Sequence, residues 1–175
     1  QPAIYICRNI LNMAGLDDLS SLSAPIYFTH IRFGAYFREL IIASTKEYEI
    51  PPLLLLALIR QESLFNPYIF SSAGASGLAQ IIPATSQDIV GILKWPPNYE
   101  LSDLQRAEVS ITYGAYYLSF VQNYLGGNLQ TALAGYNAGP GNAEIWYALA
   151  GNDPDLFLEV IRAQETQNYL MQITE

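Results

Sequence analysis

The residue best placed to do chemistry stands at the end of a run of leucines. In "LLLLALIRQESLFNP", Leu53 to Pro67, Glu62 follows Leu54 and Leu58 at intervals of four, with Leu55 and Ile59 beside them. On a helix of about 3.6 residues per turn these side chains share one stripe, so Glu62 continues an apolar face while Arg60 points elsewhere. Burial disfavours the ionised carboxylate, and the negative end of the helix dipole in the last turn acts the same way. A carboxylic acid still protonated near neutral pH is what a general acid needs. The plainer alternative is a buried glutamate satisfied by an arginine or a backbone group.

Two further stretches carry chemistry-bearing residues. The loop after Pro67, "SSAGASGLAQII", holds Ser71, Ser72, Gly74, Ser76, Gly77 and Gln80. It has no lysine and no Gly-Lys-Ser/Thr ending, which argues against a nucleotide-phosphate cradle. It does bring small residues, hydroxyls and an amide to the C-terminal end of the Glu62 helix, where a bulky ligand needs room. The segment "AGYNAGPGN", Ala134 to Asn142, makes a sharp helix exit after Asn137 and sets Tyr136 and Asn137 where a helix end can face a groove. An ordinary polar turn and a plain helix stop are the alternatives.

The elements that must position these residues read as all-α. No strand-like alternation persists, and no Asn-Gly or Asp-Gly hairpin turn occurs. Pro2 to about Met13 is a short amphipathic piece, and "GLDDLSSLSAP" after it has linker composition. The spacing predicts a helix from about Phe33 to Tyr48. A second helix opens at Pro51-Pro52, runs to about Phe65 and is stopped by Asn66-Pro67. Pro83 opens another. "SDLQ", Ser102 to Gln105, has capping-box spacing ahead of a long core helix through Ile111, Leu118 and Leu125, which Gly126-Gly127 ends. Asn128 caps the helix that carries "ALAGYNAGPG", Asp153-Pro154 starts a further one, and "AQETQNYLMQI" forms the last.

Composition bounds the function. The chain has 175 residues, enough for one domain with a proper core, and 51% of them are apolar. A net charge of -8 with no basic patch argues against nucleic acid as a partner. The 13 tyrosines and 2 tryptophans suit stacking on sugar rings, although most serve as core and surface filler. The single histidine, His30, rules out multi-histidine metal sites, argues against a Ser-His-Asp triad and reads as structural. Cys7, the one cysteine, permits no intrachain disulfide. The longest apolar run, Ile50 to Ile59, is too short to span a membrane. The chain starts at Gln1 without a signal peptide and reads as a fragment or processed product.

Taken together, "IRQES", "SSAGASGLAQIIPAT", "AGYNAGPG" and "ETQNYL" resemble, in order and spacing, the motifs of the soluble lytic transglycosylases, the family-1, goose-lysozyme-like group. The resemblance covers roughly Phe33 to Ile173. It implies a lysozyme-like helical domain at residues 25–175, with residues 1–24 an N-terminal helical appendage or the end of a preceding region. It also implies a groove for peptidoglycan glycan strands, with Glu62 as the single catalytic acid/base. Ser63, Ser71, Gln80, Ile82, Tyr136, Asn137 and Glu165 then contact substrate or hold Glu62. No cofactor and no metal are implied. A monomer working on glycan strands in the bacterial cell envelope or periplasm, or outside the cell, is expected.

The resemblance further implies a reaction without water. Glu62 protonates the oxygen between N-acetylmuramic acid and N-acetylglucosamine, and the substrate's own acetamido oxygen stabilises C1. Glu62, now ionised, takes the proton of the C6 hydroxyl, and a 1,6-anhydromuramyl end forms. Ala79 and Ile82 depart from methionines usual in the family, Arg162 from a proline and Gln167 from an arginine. A goose-type lysozyme on the same fold would need a second carboxylate to activate water. Glu165, Asp88 and Glu144 are the candidates for it. A non-catalytic glycan-binding domain would be expected to have a damaged acid position, and Glu62 is intact.

Overall fold

The computed structural model describes residues 2–16, 20–151 and 153–174. Ten α-helices form among them. They are α1 (Pro2–Met13), α2 (Ile26–Arg32), α3 (Arg38–Glu47), α4 (Pro52–Ser63), α5 (Pro83–Leu93), α6 (Ala107–Tyr124), α7 (Leu129–Ala138), α8 (Pro140–Ala150), α9 (Pro154–Val160) and α10 (Gln164–Thr174). No strand forms among the described residues. Two isolated β-bridges, Phe70 with Ser76 and Ser76 with Ile81, curl the loop between α4 and α5. No described helix is long and apolar enough to cross a membrane.

Helix α6 is the centre of the molecule. Val109, Ile111, Tyr113, Gly114, Ala115, Leu118 and Val121 are all buried on it, and α3, α4, α5 and α7 pack around it. Glu108, Phe120, Asn123 and Tyr124 leave a narrow strip of the helix open to solvent. Its N-terminus differs from the sequence expectation. The capping box is made by Glu100 and Asp103 around a 3-10 turn at Leu101–Gln105, and α6 itself begins at Ala107. Asn128 caps α7 by accepting from the Thr131 amide, and Asp153 caps α9, both as their residue types dictate.

Other boundaries also shift. The helix predicted over residues 33–48 starts late, at Arg38, after Phe37, whose φ is 56°, and a separate helix that the sequence did not signal, α2, ends at Arg32 just before it. Gly34 sits in that break, and a Cβ there would lie 2.8 Å from the His30 carbonyl oxygen. Helix α4 stops at Ser63, because Leu64 and Phe65 both turn left-handed, at φ 47° and 59°. Beyond Gly139, Pro140 opens α8, a helix the sequence reading did not separate from the exit of α7.

Of the linker "GLDDLSSLSAP", residues 17–19 lie outside the described residues, and Ser20–Ser23 forms a 3-10 turn. Helix α1 packs on α2 and buries Ile4, Cys7 and Leu11.

Candidate active site

Four segments supply most of the lining of one cleft of about 510 Å3, with Thr85 of α5 and Tyr117 of α6 completing it. Helix α4 contributes Glu62, and the loop after it contributes Ser71, Ser72, Gln80, Ile81 and Ile82. Helix α7 and its exit contribute Tyr136, Asn137 and Gly139, and α10 contributes Glu165. The apolar stripe of α4 places Glu62 as its periodicity requires. Leu55, Leu58 and Ile59 are fully buried, and Glu62 one turn on is only partly open to the cleft.

The loop forming one wall is pinned to the core. Tyr136 donates from its hydroxyl to the Ala79 carbonyl at 2.8 Å, and the Ala79 amide donates to Ser110 Oγ at 3.1 Å. Gly114 lets the loop lie directly on α6, since a Cβ there would come within 2.5 Å of the Ala79 methyl. Gly77, at φ 82°, presses against the Leu104 carbonyl, where no side chain could fit. Gln80 holds the same loop, its Nε2 donating to the carbonyls of Gly77 at 2.9 Å and Ile69 at 3.2 Å. Asn137 Oδ1 accepts from Thr166 at 2.7 Å and so joins α7 to α10.

The acid at the centre is tuned by burial and by two neighbours. Burial pushes the Glu62 pKa up, the negative charge of Glu165 adds to this, and a hydrogen bond donated by Tyr169 opposes both. The net result is a pKa raised from 4.5 to about 7. The Tyr169 hydroxyl lies 2.6 Å from Glu62 Oε1. Burial first, and the nearby Glu62 next, push the Tyr136 and Tyr169 phenols well above their ordinary range, so both stay protonated donors. Near neutral pH the cleft therefore holds one carboxyl able to give a proton and, once ionised, to take one back. Among the described residues no three His, Cys, Asp or Glu side chains are grouped to hold a metal ion.

The pattern has counterparts among known proteins. The model of the transglycosylase SLT domain family matches residues 39–156. The chain belongs to the transglycosylase SLT domain family. It is 35% identical over 144 residues to the soluble lytic murein transglycosylase of Escherichia coli strain K12, a match covering 81% of this chain and 22% of that protein. The crystal structure of the 70 kDa soluble lytic transglycosylase of Escherichia coli superposes with a TM-score of 0.77 at 32% identity, over 89% of this chain and 26% of that one. An inactive Glu-to-Gln mutant of the lytic transglycosylase Slt from Pseudomonas aeruginosa superposes with a TM-score of 0.75 at 30% identity, over 88% of this chain and 25% of that one. The chain thus spans about a quarter or less of the length of these relatives.

In this SLT domain most of the residues picked from sequence lie together. Glu62, Ser71, Gln80, Ile82, Tyr136, Asn137 and Glu165 all line the cleft. Ser63 does not. It is buried, and its hydroxyl donates back to the Ile59 carbonyl at 3.1 Å. His30 lies exposed on α2, and neither it, Asp88 nor Glu144 lines the Glu62 cleft. Asp88 lines a neighbouring trough, and Glu144 accepts from Tyr124 on the surface.

Sequence reasoning missed two tyrosines of the cleft region. Tyr169, the partner of Glu62, lies inside the quoted "ETQNYL" four residues after Glu165, a helical spacing that puts both on one side of α10. Tyr117, whose ring packs 5.2 Å from Tyr136, has no signal beyond its place on a buried helix.

Proposed function

We propose that this domain is a peptidoglycan lytic transglycosylase that cleaves the β-1,4 bond between N-acetylmuramic acid and N-acetylglucosamine and leaves a 1,6-anhydro end. The observation that carries the reading is Glu62, a largely buried carboxyl with a pKa raised to about 7 at the centre of a 510 Å3 cleft. The names of its relatives, and the inactivity of one of them when a single glutamate becomes glutamine, support it.

In the reaction Glu62 first donates its proton to the glycosidic oxygen as the bond breaks through an oxocarbenium-like state. The acetamido oxygen of the substrate stabilises C1. Glu62, now a carboxylate held by the Tyr169 hydroxyl, removes the proton of the C6 hydroxyl, whose oxygen attacks C1. A pKa near 7 suits both steps, because neither protonation state is strongly disfavoured at neutral pH. Ser71, Gln80, Ile82, Tyr136, Asn137 and Glu165 form the walls that hold the strand, with Ser63 supporting α4 behind them. No cofactor takes part. Residues 25–175 act as the catalytic domain, as a monomer, on the glycan of the bacterial cell envelope. Residues 1–24 are an appendage or the end of a preceding region.

A second reading has one observation in its favour: Glu165 shares the cleft with Glu62 and could activate water, as in a goose-type lysozyme. Mass spectrometry of the muropeptides released from purified sacculi separates the two. Products lighter than lysozyme products by one water, absent with Glu62→Gln, are expected. Full-weight reducing ends would replace the transglycosylase by the hydrolase.

A further inference from the structure

On the side of α4 turned away from the cleft, a small cavity of about 50 Å3 lies between α1, α4 and α10. Ala57, Arg60 and Gln61 of α4 reach it at helical spacing, Leu64 lies just past the end of that helix, Arg8 comes from α1 and Gln172 from α10. Among the described residues its charged lining is Arg8 and Arg60, with no Asp or Glu. Arg60 is fixed in place, with its Cζ 4.5 Å from the centroid of the Phe33 ring. Its Nε is closed off from solvent and has no hydrogen-bond partner among the described residues. Burial pushes the Arg60 pKa down, and the like charge of Arg8 pushes it further.

This arrangement is unusual for the chain. Only 8 Lys and Arg stand against 16 Asp and Glu, yet two of the arginines meet here. The ion pairs Arg38–Glu39 and Arg106–Asp103 involve neither of them. Two converging cations without a carboxylate repel each other unless an anion sits between them.

We propose that Arg8, Arg60, Gln61 and Gln172 form a binding site for a single oxyanion, a phosphate or a carboxylate group. A guanidinium presents a rigid fork of N–H donors matched to oxyanion geometry, and Phe33 holds that of Arg60 before any ligand arrives. The primary amides of Gln61 and Gln172 add neutral donors. The cavity shares no lining residue with the glycan cleft, so this site is separate from it. An anion here ties α1 to α4 and α10. Arg60 is two residues before Glu62, and Gln172 three after Tyr169, so occupancy clamps the seam that carries the acid and its partner.

Calorimetry of the whole chain tests this at pH 7.5 and constant ionic strength, in sodium phosphate, sodium acetate or sodium chloride. An anion bound only by the folded state raises Tm in a saturable way. Salt exclusion from the surface, by contrast, raises it without saturation. A saturable rise over chloride is expected. In phosphate alone it identifies a phosphate group as the ligand, in acetate alone a carboxylate, and in both a site open to either.

Arg8 is exposed, so Arg8→Gln is expected to fold and, in chloride, to be no less stable than the parent. Losing one charge-assisted contact should weaken half-saturation about 10- to 100-fold. Should Arg8→Gln fail to fold, Gln172→Leu serves the same comparison. Identical Tm values in the three salts, a rise that does not saturate, or a saturable rise undiminished in the variant, would overturn the proposal.

Discussion

Replacing Glu62 by glutamine tests whether the fold holds this carboxyl against its own preference. The folded group titrates near 7, against 4.5 for an ordinary glutamate. Below pH 4.5 the folded and unfolded chains both carry the proton, and the full stability is present. Between 4.5 and about 7 the unfolded chain releases a proton that the folded chain keeps, so stability falls as pH rises. Above the folded pKa both states are ionised and the loss is complete. The gap between the two values, at about 1.4 kcal/mol per pH unit, corresponds to about 3 kcal/mol.

Glutamine is neutral at every pH, nearly isosteric, and keeps an oxygen to accept from Tyr169. The variant therefore escapes the loss. For a chain of this size each kcal/mol moves Tm by about 2–4 °C, so Glu62→Gln should melt about 6–12 °C higher than the parent at pH 8. Near pH 4 the two should coincide. Calorimetric scans of both proteins from pH 4 to 8 make the comparison. A difference that does not grow with pH, or a variant less stable than the parent at pH 8, would refute the claim that burial raises the pKa of Glu62.

Three further predictions follow from the same neighbours. Tyr169→Phe removes the donor that lowers the Glu62 pKa, so the alkaline limb of the kcat/KM profile should move to higher pH. Glu165→Gln removes the like charge, so that limb should move to lower pH with turnover retained. A loss of kcat of about 100-fold or more at the optimum would instead make Glu165 the second carboxylate of a hydrolase. Tyr136→Phe leaves the buried Ala79 carbonyl without its 2.8 Å donor and should destabilise the domain by about 1–3 kcal/mol in urea denaturation.

Legibility in the sequence followed the range of the forces involved. The i, i+4 placement of Leu54, Leu58 and Glu62 is local, and helix geometry alone put the carboxyl on the buried stripe of α4. The caps at Asn128 and Asp153 are equally local, each a side chain bonding its own next turn. Where two local devices compete the sequence misleads. Ser102 to Gln105 has capping-box spacing, but Glu100 and Asp103 make the reciprocal bonds and wind a 3-10 turn first. The break at Gly34 and the early stop at Leu64 depend on packing against distant residues, among them the Tyr36 ring against Phe65 at 5.0 Å. No window of a dozen residues contains that information.

The cleft shows why the acid was readable and its tuning was not. Sequence placed Glu62 on an apolar face at the negative end of a helix, and each effect taken alone raises its pKa. The structure adds two groups from α10, more than a hundred positions further on. Glu165 pushes in the same direction, and Tyr169 pushes back with a bond to Oε1 across 107 residues of chain. Burial without Tyr169 would favour an acid that protonates a leaving group well but is slow to ionise. A bond to the carboxylate form without burial would give an ordinary glutamate, ionised before the reaction starts. A group that must donate a proton and then accept one needs the two influences in balance near the working pH. That balance is set by how α10 docks on α4, so under the proposed function the packing of these two helices is itself part of the catalytic apparatus.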